Sequence, residues 1–212
     1  MAKRVQTPQR IQGWSSGRCE NHARSPDRRR DRTRLENPHA HSARTLVACS
    51  GSDGLLWTPY LLGERTPHLD PTATAAFVGI TATTTRAHFT RAVLEGVAYS
   101  LKDTFTLFLE LGIPVKGVRL GGGGARGPLW REIQANIYAY ACERLTAEEG
   151  GAFGAALMAG VGAKHWPDLE AACAAGITVA ETIQPDPAKV QRYAEGYAGY
   201  RRVYPALKGV HG

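Results

Sequence analysis

Four consecutive glycines, Gly121 to Gly124, constrain the fold of this chain more than any other feature of its sequence. They follow the short run VKGVRL, which predicts a β-strand, and a helical pattern opens at Pro128 just after them. Because glycine has no Cβ, such a turn can adopt positive φ and bring backbone N–H groups close to a ligand. At a helix N-terminus those groups favour anionic oxygen, as in a nucleotide. The turn by itself predicts either a nucleotide site or a tight turn without a ligand.

Two common phosphate-binding loops are excluded at this turn. The glycines are not followed by G-K-[ST], so the turn is not a Walker A loop. A dinucleotide-binding fingerprint needs an acidic residue about 20 positions further on, at the end of a second strand. Glu143 lies near that spacing but stands before an arginine.

The hydrophobic pattern around the turn predicts alternating strands and helices, and therefore an α/β domain. The runs GLLWTPYLL, AAFVGIT and CERL each have the length and composition of a short strand. A long helix is predicted over 86–111, ended by Gly112 and Pro114. Its buried face is predicted from apolar residues that recur at spacings of three and four: Phe89, Val93, Val97, Leu101, Phe105 and Phe108.

Three more helices have recognisable starts. Pro128 suits the first turn of a helix whose buried face would carry Trp130, Ile133 and Ile137. Thr146 and Glu149 form a capping-box pattern before the small-residue helix GGAFGAALMAGVGA. Asp186 and Pro187 begin a helix with a stripe of tyrosines, which we interpret as packing: Tyr193, Tyr197, Tyr200 and Tyr204.

The formal net charge of +7 belongs entirely to residues 1–50. That segment holds eleven Lys and Arg against four Asp and Glu, whereas the rest of the chain holds fifteen of each. Its run ARSPDRRRDRTRLENPHAHSART has hardly any large aliphatic residues, which predicts a disordered basic arm. The arm can be interpreted as a solvated tail, as a nucleic-acid-binding tail, or as sequence translated out of frame.

The cysteines and the hydropathy profile predict a cytoplasmic protein with no membrane span. Four cysteines lie far apart without a C-x-x-C pair, which argues against a zinc site and a disulfide framework and fits a reducing compartment. No apolar run approaches the length of a membrane span, and the basic N-terminus lacks the apolar region of a secretory signal.

Four segments together resemble one family. RLGGGGARGPLWREIQANI is similar to the adenosine-binding turn of the FGGY carbohydrate kinases, within the actin/Hsp70/hexokinase superfamily, and its closest likeness there is to xylulokinases. PYLLGERTPHLDP and AEEGGAFGAALMAG are similar to further xylulokinase stretches, and the resemblance runs in family order from about Asp53 to the C-terminus. The family's second signature matches at these residues: Ala75, Phe77, Gly79, Ile80, His88, Phe89, Ala92, Val93, Leu94 and Glu95.

The resemblance implies a fold class and a reaction. Residues 51–212 would be part of an actin-like (ribonuclease H-like) ATPase domain, the C-terminal, ATP-binding half of a sugar kinase, incomplete at its start. The family reaction would convert ATP and D-xylulose to xylulose 5-phosphate and ADP with Mg²⁺, and this chain alone is expected to be inactive. The alternative is a non-catalytic interaction module with a nucleic-acid-binding arm, although we do not expect nucleic acid as a partner.

The resemblance also implies the nucleotide contacts. The backbone of Gly122, Gly123 and Gly124 would lie against the ribose and phosphates. Arg126 and Gly127 would lie beside the adenosine. Phe153 and Gly154 would face the nucleotide from helix 150–163. Gly121 replaces the usual threonine and Gly127 the usual serine. The small residues of helix 150–163 are explained equally well by close helix packing.

No catalytic residue and no metal ligand are assigned to this chain. In the family the catalytic Asp lies ahead of the point where the resemblance begins, and we interpret Glu95 as structural. His68 and His88 lack a partner carboxylate in their motifs and are also interpreted as structural. The sugar would bind only if the missing N-terminal domain is supplied, and helix 86–111 would be left partly uncovered, which predicts self-association.

Overall fold

The computed structural model describes residues 49–147 and 150–210 of the 212-residue chain. All of these residues belong to one compact unit. The predictions about the basic arm, namely its disorder, its nucleic-acid binding and its reading frame, concern residues 1–50 and lie almost entirely outside the described residues.

Short strands alternate with helices along the described residues, as the sequence predicted. The strands are Leu56–Thr58 (β1), Ala76–Val78 (β2), Val118–Leu120 (β3), Cys142–Leu145 (β4) and Val179–Ile183 (β5). The α-helices are Arg86–Glu110 (α1), Pro128–Tyr138 (α2), Gly150–Gly162 (α3), Leu169–Gly176 (α4), Pro187–Tyr200 (α5) and Val203–Leu207 (α6). The predicted strands and the helix starts at 86, 128 and 187 are thus confirmed, whereas α4, β5 and α6 were not predicted.

The strands form two small sheets. β1 and β2 pair antiparallel, while the second sheet has the order β3-β4-β5, with β3 and β4 parallel and β4 and β5 antiparallel. Leu120 at the end of β3 lies opposite Arg144 near the end of β4. Because parallel strands run in the same direction, the segments that follow β3 and β4 leave the sheet at the same edge.

The predicted helix over 86–111 is confirmed as α1, but its predicted buried face is wrong. Leu101 and Phe108 are 45% and 40% exposed. The buried face instead carries small and polar residues: Arg91, Ala92, Glu95, Gly96, Ala98, Tyr99 and Asp103. The close approach of β1 selects this face, since a Cβ on Gly96 would lie 2.1 Å from the carbonyl oxygen of Trp57. Hydrogen bonds satisfy Arg91, Glu95 and Asp103 on this face, so burial does not require an apolar stripe.

The helix starts at Pro128 and Asp186 are confirmed. Pro128 occupies the first turn of α2, and Ile133 and Ile137 are fully buried on that helix. The Asp186 carboxylate accepts hydrogen bonds from the backbone N–H groups of Ala188 and Lys189 at the start of α5. The predicted tyrosine stripe is packing, because Tyr193, Tyr200 and Tyr204 are buried and the four rings contact one another or Tyr60 and Tyr99.

The capping box predicted at Thr146 extends beyond the described residues, because Glu149 is not among them. The Thr146 hydroxyl donates to the carbonyl oxygen of Thr178 at 3.3 Å, which ties the end of β4 to the chain just before β5. The small-residue helix itself is confirmed as α3.

Two of the cysteines carry free thiols, Cys142 and Cys173. Cys49 is disulfide-bonded. Among the described residues, no helix is both long enough and apolar enough to cross a membrane.

Candidate functional site

Residues 121–127 form a tight connection between β3 and α2, which we call the glycine connection. A 3₁₀ turn covers Gly123–Arg126, and its backbone is closed by hydrogen bonds of 3.1 Å from Ala125 N–H to the Gly122 carbonyl and from Gly127 N–H to the Gly124 carbonyl. Gly122 has φ of +73°, a conformation that favours glycine over residues with a Cβ. Local backbone geometry therefore requires glycine at position 122.

The remaining glycines at the start of this connection have an open side. A Cβ placed on Gly121, Gly122 or Gly123 would find no heavy atom of the described residues within 4 Å, whereas one on Gly124 would lie 3.3 Å from Nε1 of Trp130. Packing within the described chain therefore explains Gly124 but not Gly121 or Gly123. An open backbone of this kind leaves room for a ligand to approach the N–H groups.

Arg126 and Gly127 complete the connection. The Arg126 residue is exposed at the end of the 3₁₀ turn. Gly127 stands at the N-cap of α2, where it offers no side chain to bond the first N–H groups of the helix. Since its φ of −76° is open to any residue, the serine usual at this position would fit, and glycine removes a capping hydroxyl.

A cavity of about 300 Å³ lies beyond β4, between α3 and α4. Two of the predicted site residues, Phe153 and Gly154, line it. The other lining residues are Leu145, Ala147, Gly150, Leu157, Met158, Leu169, Cys173 and Ile177. Its described wall is apolar apart from backbone groups and the Cys173 thiol, which suits a flat, weakly polar ring.

The predicted site residues thus fall into two groups. Phe153 and Gly154 lie in the cavity, while residues 122–127 lie in the glycine connection and do not line it. Both groups follow the parallel strands β3 and β4 and leave the sheet at the same edge. This carboxyl edge is where open α/β sheets bind ligands.

Comparison with known proteins identifies the family. The family model described as "FGGY family of carbohydrate kinases, C-terminal domain" matches residues 11–163, which is more than half of the chain. The chain belongs to the FGGY family of carbohydrate kinases. The family predicted from the four motifs is therefore confirmed, although the match begins inside the basic arm.

Curated relatives and solved structures agree with this assignment. The FGGY chain is 37% identical over 178 residues to the xylulose kinase of Staphylococcus epidermidis, covering 83% of this chain and 36% of that protein. It is 37% identical over 161 residues to the xylulose kinase of Bacillus subtilis, covering 76% of this chain and 32% of that protein. The crystal structure of xylulose kinase from Rhodospirillum rubrum matches with a TM-score of 0.72 and 30% identity over 82% of this chain and 35% of that chain.

These likenesses confirm the predicted fold class, an α/β part of an actin-like ATPase. The FGGY chain spans about a third of the length of the curated relatives it matches. Its similarity therefore concerns one portion of the kinases and not their whole length.

Helix α3 of the FGGY chain uses only some of its glycines for packing. A Cβ on Gly160 would lie 2.3 Å from the ring of Trp166, so this glycine is required by close packing. At Gly150, Gly151 and Gly154 a Cβ would meet nothing within 4 Å in the part of the chain that the structure describes. Close helix packing thus explains part of the small-residue pattern, and Gly154 opens the helix toward the cavity.

Sequence reasoning missed Arg131, a buried residue of α2. Its Nη1 donates to the carbonyl oxygens of Ala125 at 2.7 Å and Arg126 at 2.9 Å, and its Nη2 donates to Glu181 on β5 at 2.9 Å. A cation near a helix N-terminus opposes the helix dipole. That unfavourable placement was the signal in the sequence that Arg131 has a specific partner.

The acidic residues near the family motifs are engaged within the fold. Glu95 is buried and accepts hydrogen bonds from Arg91 and Tyr193, which supports its interpretation as structural. Glu64 accepts hydrogen bonds from two backbone N–H groups of its own loop. Within the described residues, no three His, Cys, Asp or Glu side chains converge as a metal site would need.

His88 does have a carboxylate partner, contrary to the sequence interpretation. Its Nε2 lies 3.1 Å from Oδ2 of Asp53, and its Nδ1 accepts a hydrogen bond from the backbone N–H of Thr85. Since Nδ1 is an acceptor, Nε2 carries the proton and donates to Asp53. Thr85 and His88 form a capping box at the start of α1, so the contact still serves a structural purpose.

Proposed function

We propose that residues 51–212 form the C-terminal, nucleotide-binding portion of an ATP-dependent sugar kinase similar to xylulokinase. The reaction of the whole kinase would be ATP plus D-xylulose giving xylulose 5-phosphate and ADP. One observation carries the proposal: a glycine connection with an open backbone side leaves the same sheet edge as an apolar cavity of about 300 Å³. The identity to xylulose kinases supports the choice of sugar.

The residues present fit a nucleotide. The cavity walls offer apolar contact to a base, chiefly from Phe153, Leu157 and Leu169. The N–H groups of residues 122–124 and the N-terminus of α2 favour the negatively charged phosphates. Residues 126 and 127 would lie beside the adenosine between these two groups.

Mg²⁺ would accompany the nucleotide and spread the charge of its phosphates. We assign it no ligand from the described residues, where no carboxylate cluster is available. The catalytic base and the sugar contacts would come from the part of the family that this chain does not span.

Thiol protection tests the nucleotide site directly. Cys173 lines the cavity, so bound ADP would shield its thiol from iodoacetamide. Cys142 is fully buried, and burial raises the pKa of its thiol to about 11, so it is an unreactive internal reference. We expect ADP to slow the alkylation of Cys173, followed by peptide mass spectrometry. An alkylation rate unaffected by saturating ADP would contradict the proposed cavity occupant.

Gly123→Val tests the glycine connection. Because a Cβ at this position meets none of the described residues, the variant should fold, while its branched side chain would occupy the space of the phosphates. We expect ADP affinity, measured by calorimetry, to fall by about tenfold or more. Gly117→Val is the matched control, because position 117 is equally open but precedes β3. Equal affinity of the two variants would count against the site.

We expect the isolated chain to phosphorylate no sugar. A coupled assay with ATP, Mg²⁺ and D-xylulose measures this directly. Turnover by the chain alone would show that the catalytic residues lie within it and would overturn that part of the proposal.

A further inference from the structure

The side chain of Arg131, on α2, binds the backbone of the glycine connection. Its guanidinium donates to two successive carbonyl oxygens, those of Ala125 and Arg126, at 2.7 and 2.9 Å. These are the last two peptide carbonyls before the N-cap of α2. The contacts therefore fix the orientation of the peptide planes at the point where the connection enters the helix.

The orientation of these peptide planes decides which charge the connection presents on its open side. In a trans peptide the N–H points away from the C=O of the same plane. With the carbonyls of Ala125 and Arg126 turned toward Arg131, the Arg126 N–H points to the other side, and the Gly127 N–H is directed to the Gly124 carbonyl, where it closes the 3₁₀ turn that carries the glycine N–H groups. Reversed planes would present carbonyl oxygens there, which repel phosphate.

Arg131 is itself anchored at a distance. Its Nη2 donates to Oε2 of Glu181 on β5 at 2.9 Å, and the same carboxylate oxygen lies 3.6 Å from Nε of Arg144 on β4. The Arg131 side chain is only 10% exposed, so its charge is held in place by these contacts and is not freely solvated. A planar guanidinium can bind both carbonyls and the carboxylate at once, which the single ammonium of lysine cannot do with the same geometry.

We propose that Arg131 is the positioning residue of the nucleotide-binding connection, and that Glu181 holds Arg131 in place. This inference rests on the proposed function for its ligand, but the contacts it concerns exist in the chain itself. Arg131 acts through the backbone of residues 122–127 and touches no nucleotide. Its loss should therefore weaken the phosphate contacts and spare the apolar cavity.

The chain offers a matched control for charge and position. Arg119 on β3 pairs with Glu143 on β4 at 3.3 Å, in the same sheet. Side chains alternate along a strand, so Arg119 and Glu143 lie on the face opposite to Arg144 and Glu181. Arg119→Met removes an arginine from this sheet without touching the connection.

The experiment compares Arg131→Met, Arg131→Lys and Arg119→Met in the full chain, first by amide hydrogen exchange without ligand. We expect the N–H groups of Ala125 and Gly127 to exchange about tenfold faster in Arg131→Met, with an intermediate effect in Arg131→Lys. Exchange of the β4 amides in Arg131→Met, and of the Ala125 and Gly127 amides in Arg119→Met, should be unchanged. Unaltered exchange at Ala125 and Gly127 in a folded Arg131→Met chain would overturn the inference.

Binding of ADP and of adenosine supplies the second readout. We expect Arg131→Met to weaken ADP by about tenfold and adenosine by much less, because the phosphates would contact the backbone of residues 122–124 while the base would be held chiefly by the apolar cavity. Equal weakening of both ligands would indicate a general structural role and would also overturn the inference. If the natural chain binds neither ligand, the proposed function fails, and the exchange measurement still decides the role of Arg131.

Glu181→Gln covers the case in which Arg131→Met does not fold. The Glu181 side chain is 43% exposed, so its neutralisation should be tolerated by the fold. We expect the same local increase in exchange at Ala125 and Gly127, smaller in size. A folded Glu181→Gln chain with unaltered exchange there would count against the anchor.

Discussion

The hydroxyl of Tyr193 on α5 donates a hydrogen bond of 2.8 Å to the buried carboxylate of Glu95 on α1. The same carboxylate accepts hydrogen bonds from Arg91 Nε, from the backbone N–H of Gly51 and from the hydroxyl of Ser52. One side chain thus joins two helices and the segment before β1. The buried Arg91 depends on it for charge compensation.

Glu95→Ala should destabilise the fold strongly. Removing one partner of a buried ion pair leaves the other uncompensated, which costs about 3–5 kcal/mol. Urea unfolding measures the loss as a lower free energy of unfolding. The control is Glu110→Ala, which removes an exposed carboxylate from the end of the same helix and should have little effect. A loss no larger than that of the control would contradict the structural interpretation of Glu95.

Gly96→Ala should also destabilise the fold, because the added Cβ would lie 2.1 Å from the Trp57 carbonyl oxygen and force α1 away from β1. Gly162→Ala on α3 is the matched change, since no atom of residues 49–147 or 150–210 lies within 4 Å of its Cβ position. There the loss of glycine flexibility should stabilise the helix by up to about 1 kcal/mol. The midpoint of thermal unfolding should therefore fall for Gly96→Ala and rise for Gly162→Ala.

Gly154→Ala should separate stability from binding. The position is open and helical, so alanine should raise the free energy of unfolding by about 0.5–1 kcal/mol. Because Gly154 lines the cavity, the added methyl group should lower ADP affinity. Gly151→Ala, also open but not lining the cavity, should give a similar stabilisation with unchanged affinity. Unchanged ADP affinity in both variants would place the nucleotide elsewhere.

Stability should depend on pH through Asp70. Hydrogen bonds from Thr72 and Tyr204 lower the pKa of its carboxyl from 3.8 to about 2. A lowered pKa in the folded state stabilises the fold above the unfolded value, and this contribution is lost as the pH falls from about 4 toward 2. The difference in unfolding midpoint between the natural chain and Asp70→Asn should therefore shrink over that interval. A difference that stays constant from pH 6 to pH 2 would contradict this assignment.

Self-association remains a prediction. Apolar side chains are exposed at the end of α1 and just after it, with Leu109, Leu111 and Ile113 each more than half exposed. A double change of Leu109 and Leu111 to lysine should reduce any association seen by sedimentation velocity. Lysine at the exposed Thr83 controls for the added charge. A natural chain that stays monomeric at high concentration would refute the prediction.

The sequence by itself determined the features that depend on neighbouring residues. The strand before the glycines, the start of α2 at Pro128 and the start of α5 at Asp186 follow from local backbone chemistry, so they could be predicted. Phe153 and Gly154 were placed by their resemblance to a family motif, and the structure puts both at the cavity. The motifs also identified the FGGY family.

Only the tertiary structure decided which surfaces meet. The buried face of α1 was mispredicted because it is set by the approach of Trp57 and by Tyr193, a partner 98 residues from Glu95. The strand β5 is largely exposed and has no clear apolar alternation, so it left no strong pattern in the sequence. Arg131 donates a hydrogen bond to Glu181, a residue 50 positions away. Local sequence patterns carry backbone preferences, whereas burial and pairing depend on contacts between residues that are distant along the chain.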